Sequence, residues 1–255
     1  MGFIDSHIHT IFLSWSELLD LAYGGYEAVV TVAYTPYIPR SKESLADHFD
    51  HLMLEADRLK SVGLRAFVGV GIHPRCFRPE LINGYMEVLR EYLPRADVLG
   101  EVGLESCSDV EVELLRKQLS LAKELGKPAI IHTPRANKVK ALKTALKVIE
   151  EVGVPEDEVI IDHLTISNEI IELVKGRSFY IGMTMQQGKA SVKDLIYIIE
   201  EHSDLLDRVV INSDAGRDPS DPLAVATACE ELADEGYVTE ALKIASINVK
   251  KVIKP

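Results

Sequence analysis

Cysteine is scarce in this chain, and long apolar runs are missing. The three cysteines, Cys76, Cys107 and Cys229, show no C-x-x-C spacing, which favours free thiols in a reducing, cytoplasmic setting. No apolar stretch approaches the roughly 20 residues that a membrane span needs, and no basic-then-apolar leader opens the sequence. We therefore expect a protein with neither a membrane anchor nor a disulfide framework.

Positive charge is scarce as well. Lys and Arg number 28 against 40 Asp and Glu, which gives a formal net charge of −12 at pH 7. This balance argues against a protein that coats nucleic acid through a broad basic surface, but it permits a local cationic site. Linkers, low-complexity tracts and charge blocks are also missing, which favours one domain over residues 1–255 rather than two.

A strand followed by a helix recurs eight times along the chain. The predicted strands are short Val- and Ile-rich runs, typical of parallel strands covered on both faces. They cover residues 3–5, 28–33, 66–71, 98–102, 129–131, 159–162, 179–182 and 209–212. Eight such units predict an α/β fold, a single (β/α)8 TIM barrel. A doubly wound sheet is the competitor, but it requires a glycine-rich phosphate loop after the first strand, where Asp5-Ser6-His7-Ile8-His9 stands instead.

Side chains that can bind metal ions follow the predicted strands. In a barrel these strand ends share one face, where the chemistry takes place. Five of the eight histidines and two acids fall there: His7, His9, His73, His132, His163, Glu101 and Asp214. Because side chains alternate along a strand, His7 and His9 point the same way and can hold one divalent ion.

Six of these groups exceed the needs of one tetrahedral site: His7, His9, Glu101, His132, His163 and Asp214. A carboxylate such as Glu101 is well placed to bridge two ions. Taken singly, His132 or His163 is as readily explained as a satisfied core histidine, and Glu101 as a buried acid paired with a base. The coincidence of ligand residues at successive strand ends favours the metal interpretation.

Together these motifs resemble the TatD-type metal-dependent hydrolases of the amidohydrolase superfamily. The matching segments are Asp-Ser-His-Ile-His at 5–9, Gly-Ile-His-Pro at 71–74, Gly-Glu-Val-Gly-Leu at 100–104, Pro-Ala-Ile-Ile-His at 128–132, Asp-His at 162–163 and Asp214. They occur in the family's order and cover nearly the whole chain. The resemblance implies a barrel with two divalent ions (Zn, Mg or Mn) and hydrolytic activity. Members are associated with DNA 3′-exonuclease activity, and some with removal of D-amino acids from tRNA.

The resemblance also implies a role for each matching residue. His7, His9 and Asp214 would hold the first ion, His132 and His163 the second, and Glu101 would bridge them. His73 would either support the ligands from behind or face the substrate. The chain departs from the family at Glu105, where an aspartate is usual, and at Asn212, where an acid is usual. It also departs after His132 and after His163. These departures predict a divergent branch with its own substrate.

The expected reaction is hydrolysis by a metal-bound hydroxide, with Asp214 and Glu101 as catalytic residues and Asp214 as the proton acceptor. Loops after the strands carry a basic rim of Arg40, Lys42, Arg75, Arg78, Arg135, Lys138 and Arg217. This rim predicts an anionic substrate such as a phosphoester, a nucleic-acid end or a nucleotide, bound by Arg75 and Arg135. Two alternatives stay open: an amidohydrolase acting on a small amide, lactone or ester, and a barrel that has lost catalysis and binds a ligand or partner.

Overall fold

Eight parallel strands form one sheet in the computed structural model, which describes residues 2–216 and 219–254. The strands pair in chain order. They are β1 Phe3–Ile8, β2 Tyr26–Val32, β3 Arg65–Val70, β4 Val98–Gly103, β5 Ala129–His132, β6 Val159–Ile161, β7 Tyr180–Thr184 and β8 Val209–Asn212. The predicted barrel is confirmed, and the eight strands lie where the apolar runs placed them. β1 is longer than predicted and contains His7.

Helices connect the strands and surround them. The described α-helices are α1 Trp15–Tyr23, α2 Lys42–Ser61, α3 Ile82–Tyr92, α4 Asp109–Leu125, α5 Lys138–Val152, α6 Asn168–Val174, α7 Val192–Glu201, α8 Ala224–Asp234, α9 Val238–Leu242 and α10 Asn248–Val252, with a π-helical turn at Lys243–Ile247. Serine side chains begin several of them; that of Ser108, for example, accepts the N–H of Glu111. None of the described helices has the length and apolar character that crossing a membrane demands.

The sheet closes where the first and last strands meet. Asp214 N–H donates to His7 O at 3.0 Å, and His9 N–H donates to Ala215 O at 2.8 Å. The Ser6 hydroxyl adds a bond of 2.9 Å to a carbonyl of β8. These bonds place the segment after β8 directly against the end of β1, so that residues far apart in sequence share one face of the barrel.

The core has two parts, one between the strands and the helices and one inside the barrel. The inner part contains Ile4, Val30, Val98 and other inward side chains of the strands. Val252 of α10 belongs to this same cluster. The Asn248 amide donates to the carbonyls of Leu206 and Val209 at the start of β8, so α10 closes the N-terminal end of the barrel. The opposite end is left for the site.

Candidate metal centre

The C-terminal ends of the strands bring the six predicted ligands into one cluster. They come from five strands or the residues that follow them: His7 and His9 from β1, Glu101 from β4, His132 from β5, His163 from β6 and Asp214 from β8. The first five are buried, and the Asp214 side chain is 14% exposed. The cluster is therefore largely buried, and Asp214 is its most exposed member.

The Glu101 carboxylate lies at the centre of this cluster. Its Oε2 is 3.4 Å from His7 Nε2 and 3.8 Å from His9 Nε2. Its Oε1 is 2.7 Å from His132 Nδ1 and 3.0 Å from His163 Nε2. The two oxygens thus face different predicted ligand histidines, an arrangement suited to a carboxylate that bridges two cations.

Close approach of β4 to β5 brings Glu101 and His132 together, and it depends on a glycine. A Cβ at Gly103 would lie 2.3 Å from His132 O, and the φ of Gly103 is +146°. Only glycine combines that backbone conformation with that contact. In the Gly-Glu-Val-Gly segment, Glu101 is therefore needed for the chemistry and Gly103 for the close packing of the strands.

Asp214 completes the group around His7 and His9. Its Oδ1 lies 3.2 Å from His9 Nε2 and 3.7 Å from His7 Nε2. Asp214 and His163 both have left-handed backbone conformations, with φ of 49° and 59°. Such conformations are uncommon for residues with a side chain and cluster at functional sites. They aim both side chains inward immediately after their strands end.

Asp162 is a site residue that the strand-end analysis did not single out. It is fully buried, and its Oδ2 lies 2.5 Å from His7 Nδ1. Its Oδ1 accepts the His163 N–H at 2.7 Å and the Asn212 amide at 2.8 Å. A carboxylate on Nδ1 fixes the tautomer of a histidine and leaves Nε2 able to bind a cation. Gly182 makes room for it, since a Cβ there would lie 2.3 Å from Asp162 Oδ1.

Negative charge dominates the interior of the cluster. Burial acts to raise the pKa of Asp162, but the charges of His163 and His7 outweigh it and hold that pKa below its ordinary value. Burial likewise acts to lower the pKa of His7, whereas the carboxylates of Glu101 and Asp162 raise it well above the usual range. Buried carboxylates need nearby positive charge, which protons or metal ions can supply.

The donor set fits divalent ions. Ligand atoms lie within 4.8 Å of one another in three overlapping trios: His7, His9 and Glu101; His7, His163 and Asp214; and His73, Glu101 and His132. Imidazole nitrogen and carboxylate oxygen are the donors that Zn and related ions take in catalytic sites. The carboxylate Oε2 of Glu105 also lies 2.9 Å from His132 Nε2. The glutamate that stands in place of the family's usual aspartate can therefore still orient a ligand histidine.

His73 lies behind Glu101 and is 2% exposed. Its Nε2 is 3.5 Å from Glu101 Oε2, and its Nδ1 accepts the backbone N–H of Arg75 at 3.0 Å. Burial holds the pKa of His73 well below its ordinary value, which favours the neutral ring. Its buried Nε2 makes no hydrogen bond within the described residues. The predicted contact with substrate stays a prediction.

A cavity of about 230 Å³ opens above the cluster. Basic side chains line it: Arg75, Arg135 and Lys189. The Arg75 guanidinium lies over the Tyr34 ring, with its Nε 3.7 Å from Glu105 Oε2. Lys189 was not identified from the sequence, where the only signal is a lysine in the loop after β7.

The predicted basic rim is only partly assembled at this cavity. Lys138 reaches its wall, since its Nζ donates to His163 O and lies 3.3 Å from Thr133 Oγ1. Arg40 and Arg78 line a separate groove, while Lys42 pairs with Glu87 at the surface. Arg217 lies outside the described residues.

We expect the reconstituted protein to bind two divalent ions per chain, because Glu101 offers a separate oxygen to each of two groups of ligands. The measurement is elemental analysis after loading with Mn2+ or Zn2+ and removal of unbound metal. A variant at the exposed His51, His51→Ala, serves as the control for adventitious binding and should also retain two ions. Binding of a single ion by the wild-type protein would contradict the bridging arrangement.

The protein is a (β/α)8 barrel with a buried cluster of His, Glu and Asp at the C-terminal ends of its strands. This combination is typical of metal-dependent hydrolases, and comparison with known proteins indicates the same class. Residues 4–254 match the model of the family described as TatD related DNase. The chain belongs to this family.

Two archaeal relatives are similar over most of their length. An uncharacterized metal-dependent hydrolase from Methanocaldococcus jannaschii is 36% identical over 217 residues, which is 84% of each chain. The crystal structure of a TatD-like protein from Archaeoglobus fulgidus has a TM-score of 0.80 at 34% identity, covering 99% of this chain and 100% of that one. A lactonase from Listeria monocytogenes, at 14% identity and a TM-score of 0.72 over 99% of this chain and 94% of that one, shares the fold.

Proposed function

We propose that this metal-dependent hydrolase acts on a phosphoester, with a nucleic-acid end or a nucleotide as its substrate. The observation that carries the proposal is the set of basic side chains around a small cavity directly above the metal centre. The volume of about 230 Å³ suits a single phosphorylated unit better than a large ligand, since pockets for drug-sized ligands measure roughly 300–1,000 Å³.

The charge balance of the site supports an anionic substrate. Four carboxylates lie in or beside the cluster, namely Glu101, Glu105, Asp162 and Asp214. Four basic side chains reach the same region, namely Arg75, Arg135, Lys138 and Lys189. Two divalent ions would balance all four carboxylates, so the positive charge of the basic side chains would be left for the substrate. A concave site with such a surplus attracts anions even in an acidic protein.

Residues of this chain divide the work of hydrolysis. His7, His9 and Asp214 would hold one ion and His132 and His163 the other, with Glu101 between them. Divalent ions held by these residues would make water a nucleophile at neutral pH and would stabilise negative charge on the phosphoryl oxygens. Asp214 borders the cavity and accepts the proton of the attacking water. Arg75 and Arg135 donate to phosphoryl oxygens, which their planar guanidinium groups fit in a two-pronged fashion.

The comparisons support the proposal without selecting among substrates. The family description names a DNase. The crystal structure of a phosphotriesterase homology protein from Escherichia coli, at 16% identity and a TM-score of 0.75 over 99% of both chains, is described as complexed with phosphate in its active site. The lactonase shares the same fold, so a substrate assay has to decide between charged and neutral esters.

The test is the double variant Arg75→Ala/Arg135→Ala, assayed on a nitrophenyl phosphodiester and on a neutral nitrophenyl carboxylic ester. We expect the ratio of phosphodiester to neutral-ester kcat/KM to fall about tenfold to a hundredfold, because charge-assisted hydrogen bonds to the phosphoryl group are lost. The difference in this ratio between the wild-type protein and the double variant should be smaller at high salt, because salt screens the partly exposed Arg75.

The matched control is Arg90→Ala/Arg116→Ala, which removes two arginines from the outer surface of α3 and α4. Its ratio should equal that of the wild-type protein. Ion content is measured for both double variants, because Arg75 also contacts Glu105. The proposal would be contradicted if the wild-type enzyme preferred the neutral ester, or if the ratio were unchanged in Arg75→Ala/Arg135→Ala. A lactone, ester or amide would then be the better substrate class.

A further inference from the structure

Lys189 reaches the metal centre from the loop between β7 and α7. Its side chain is 9% exposed, and its Nζ donates to Asp214 Oδ2 and lies 3.4 Å from His163 Nδ1. Asp214 presents its other oxygen, Oδ1, to His9 and His7. The ammonium therefore lies on the cavity side of a carboxylate whose other side faces the ligand histidines.

The loop that carries Lys189 is joined by hydrogen bonds to Arg135 and to Pro219. The Lys189 N–H donates to Gln186 O at 2.9 Å. The Gln186 side chain accepts from Arg135 Nη2 at 3.3 Å and donates to Pro219 O at 2.9 Å. One glutamine thus links the loop of Lys189 to Arg135, and the two cations line the same cavity.

A second ammonium, that of Lys138, contacts the backbone of His163. Its Nζ is engaged by neutral acceptors, the His163 carbonyl and Thr133 Oγ1. Burial, together with the charge of Lys189, lowers the pKa of Lys138 to about 8. Two ammonium groups near each other in a buried wall repel, and an anion bound between or beside them relieves that repulsion.

We infer that Lys189 determines the specificity of the site for anionic substrates: its ammonium leaves Asp214 Oδ2 and binds an anionic oxygen of the substrate. This inference rests on the proposed phosphoester activity. Its geometric basis is that Lys189 and Asp214 line the same cavity, so the exchange needs only a small movement of a flexible side chain. A neutral ester, lactone or amide offers no anionic oxygen, and Lys189 would then stay on Asp214.

Two other roles for Lys189 make different predictions. If Lys189 only balances the charge of Asp214, its removal changes affinity for metal ions and leaves discrimination between substrates as it was. If it only orients the Asp214 carboxylate, its removal lowers kcat for charged and neutral substrates alike. If Lys189 instead determines specificity for the anion, its removal raises the KM of charged substrates and the Kd of a bare anion, and leaves the KM of neutral substrates unchanged.

The experiment compares Lys189→Met, which keeps the length of the side chain and removes the charge, with Lys189→Arg, which restores it. Lys193→Met is the matched control, because Lys193 lies on α7 just beyond the loop and is exposed. Titration calorimetry gives the Kd of inorganic phosphate for each Mn2+-loaded protein and the Kd of Mn2+ for each metal-stripped protein. Kinetics on the two nitrophenyl esters give KM and kcat.

For Lys189→Met we expect the Kd of phosphate and the KM of the phosphodiester to rise about tenfold or more, the loss of one charge-assisted hydrogen bond. The ratio of phosphodiester to neutral-ester kcat/KM should fall by the same factor, and Lys189→Arg should recover most of it. Mn2+ should bind Lys189→Met at least as tightly as the wild-type protein, because a competing cation has left Asp214.

Phosphate affinity of Lys189→Met within about twofold of wild type would overturn the inference, as would an equal loss of kcat on both esters. A wild-type protein that hydrolyses only the neutral ester would overturn the proposed function instead. The phosphate titration requires no turnover, so it still decides the role of Lys189 in that case.

Discussion

Replacing Glu101 with glutamine should abolish turnover and prevent the protein from holding two ions together. The two carboxylate oxygens of Glu101 face different predicted ligand histidines, and a neutral amide offers only one good donor atom toward cations. We expect kcat/KM to fall by about a thousandfold or more, since the electrostatic stabilisation of the reaction depends on both ions. Steady-state kinetics and elemental analysis of the loaded variant measure the two effects.

Glu91→Gln is the matched control, because Glu91 lies on the exposed side of α3. Its ion content and rate should equal those of the wild-type protein, and thermal denaturation should show that both variants are folded. If Glu101→Gln retained two ions and hydrolysed substrate within about tenfold of the wild-type rate, Glu101 would not be the bridge.

Asp162→Asn is expected to weaken metal binding about tenfold to a hundredfold, although Asp162 itself is no ligand. The asparagine amide donates where the carboxylate accepted, so the His7 ring must accept on Nδ1 and carry its proton on Nε2, the atom that faces Glu101. A proton there competes with the cation. Breaking this fully buried network should also lower the free energy of unfolding by about 2–4 kcal/mol. Calorimetry with Mn2+ and chemical denaturation measure the two quantities.

The control for this variant is Asp157→Asn, which changes an exposed acid just before β6, at the other end of the same strand. It should alter neither metal affinity nor stability by a measurable amount. Metal affinity of Asp162→Asn within about twofold of wild type would show that the His7–Asp162 contact is structural only.

The fold and the ligand cluster could be predicted because both follow from local patterns. Short apolar runs mark strands buried on both faces, and a residue directly after a strand, such as His163 or Asp214, must lie at the C-terminal end of the barrel. His7 and His9 share a face through simple alternation along β1. These inferences require no knowledge of how one strand is aligned with the next.

The supporting residues could not be predicted in the same way. Asp162 is 155 residues from its partner His7, and their contact depends on the alignment of β6 with β1 across the barrel. Lys189 reaches Asp214 through a loop whose conformation is set by Gln186 contacts with distant residues. His73 was expected to support the ligands or to face the substrate. The bond from the N–H of its neighbour Arg75 to Nδ1 could not be read from the sequence, and contact of His73 with substrate stays a prediction.

The closure of the barrel between β1 and β8 separates the two halves of the metal centre in time. Ribosomes add about 5–20 residues per second, so His7 is made roughly 10–40 s before Asp214. The ligands of one half, Glu101, His132 and His163, come from consecutive strands and can meet while the chain is still growing. The other half requires Asp214 to meet His7 and His9, and that group cannot exist until the last strand has been synthesised. The complete set of six ligands can therefore form only after the last strand has been synthesised and the barrel has closed.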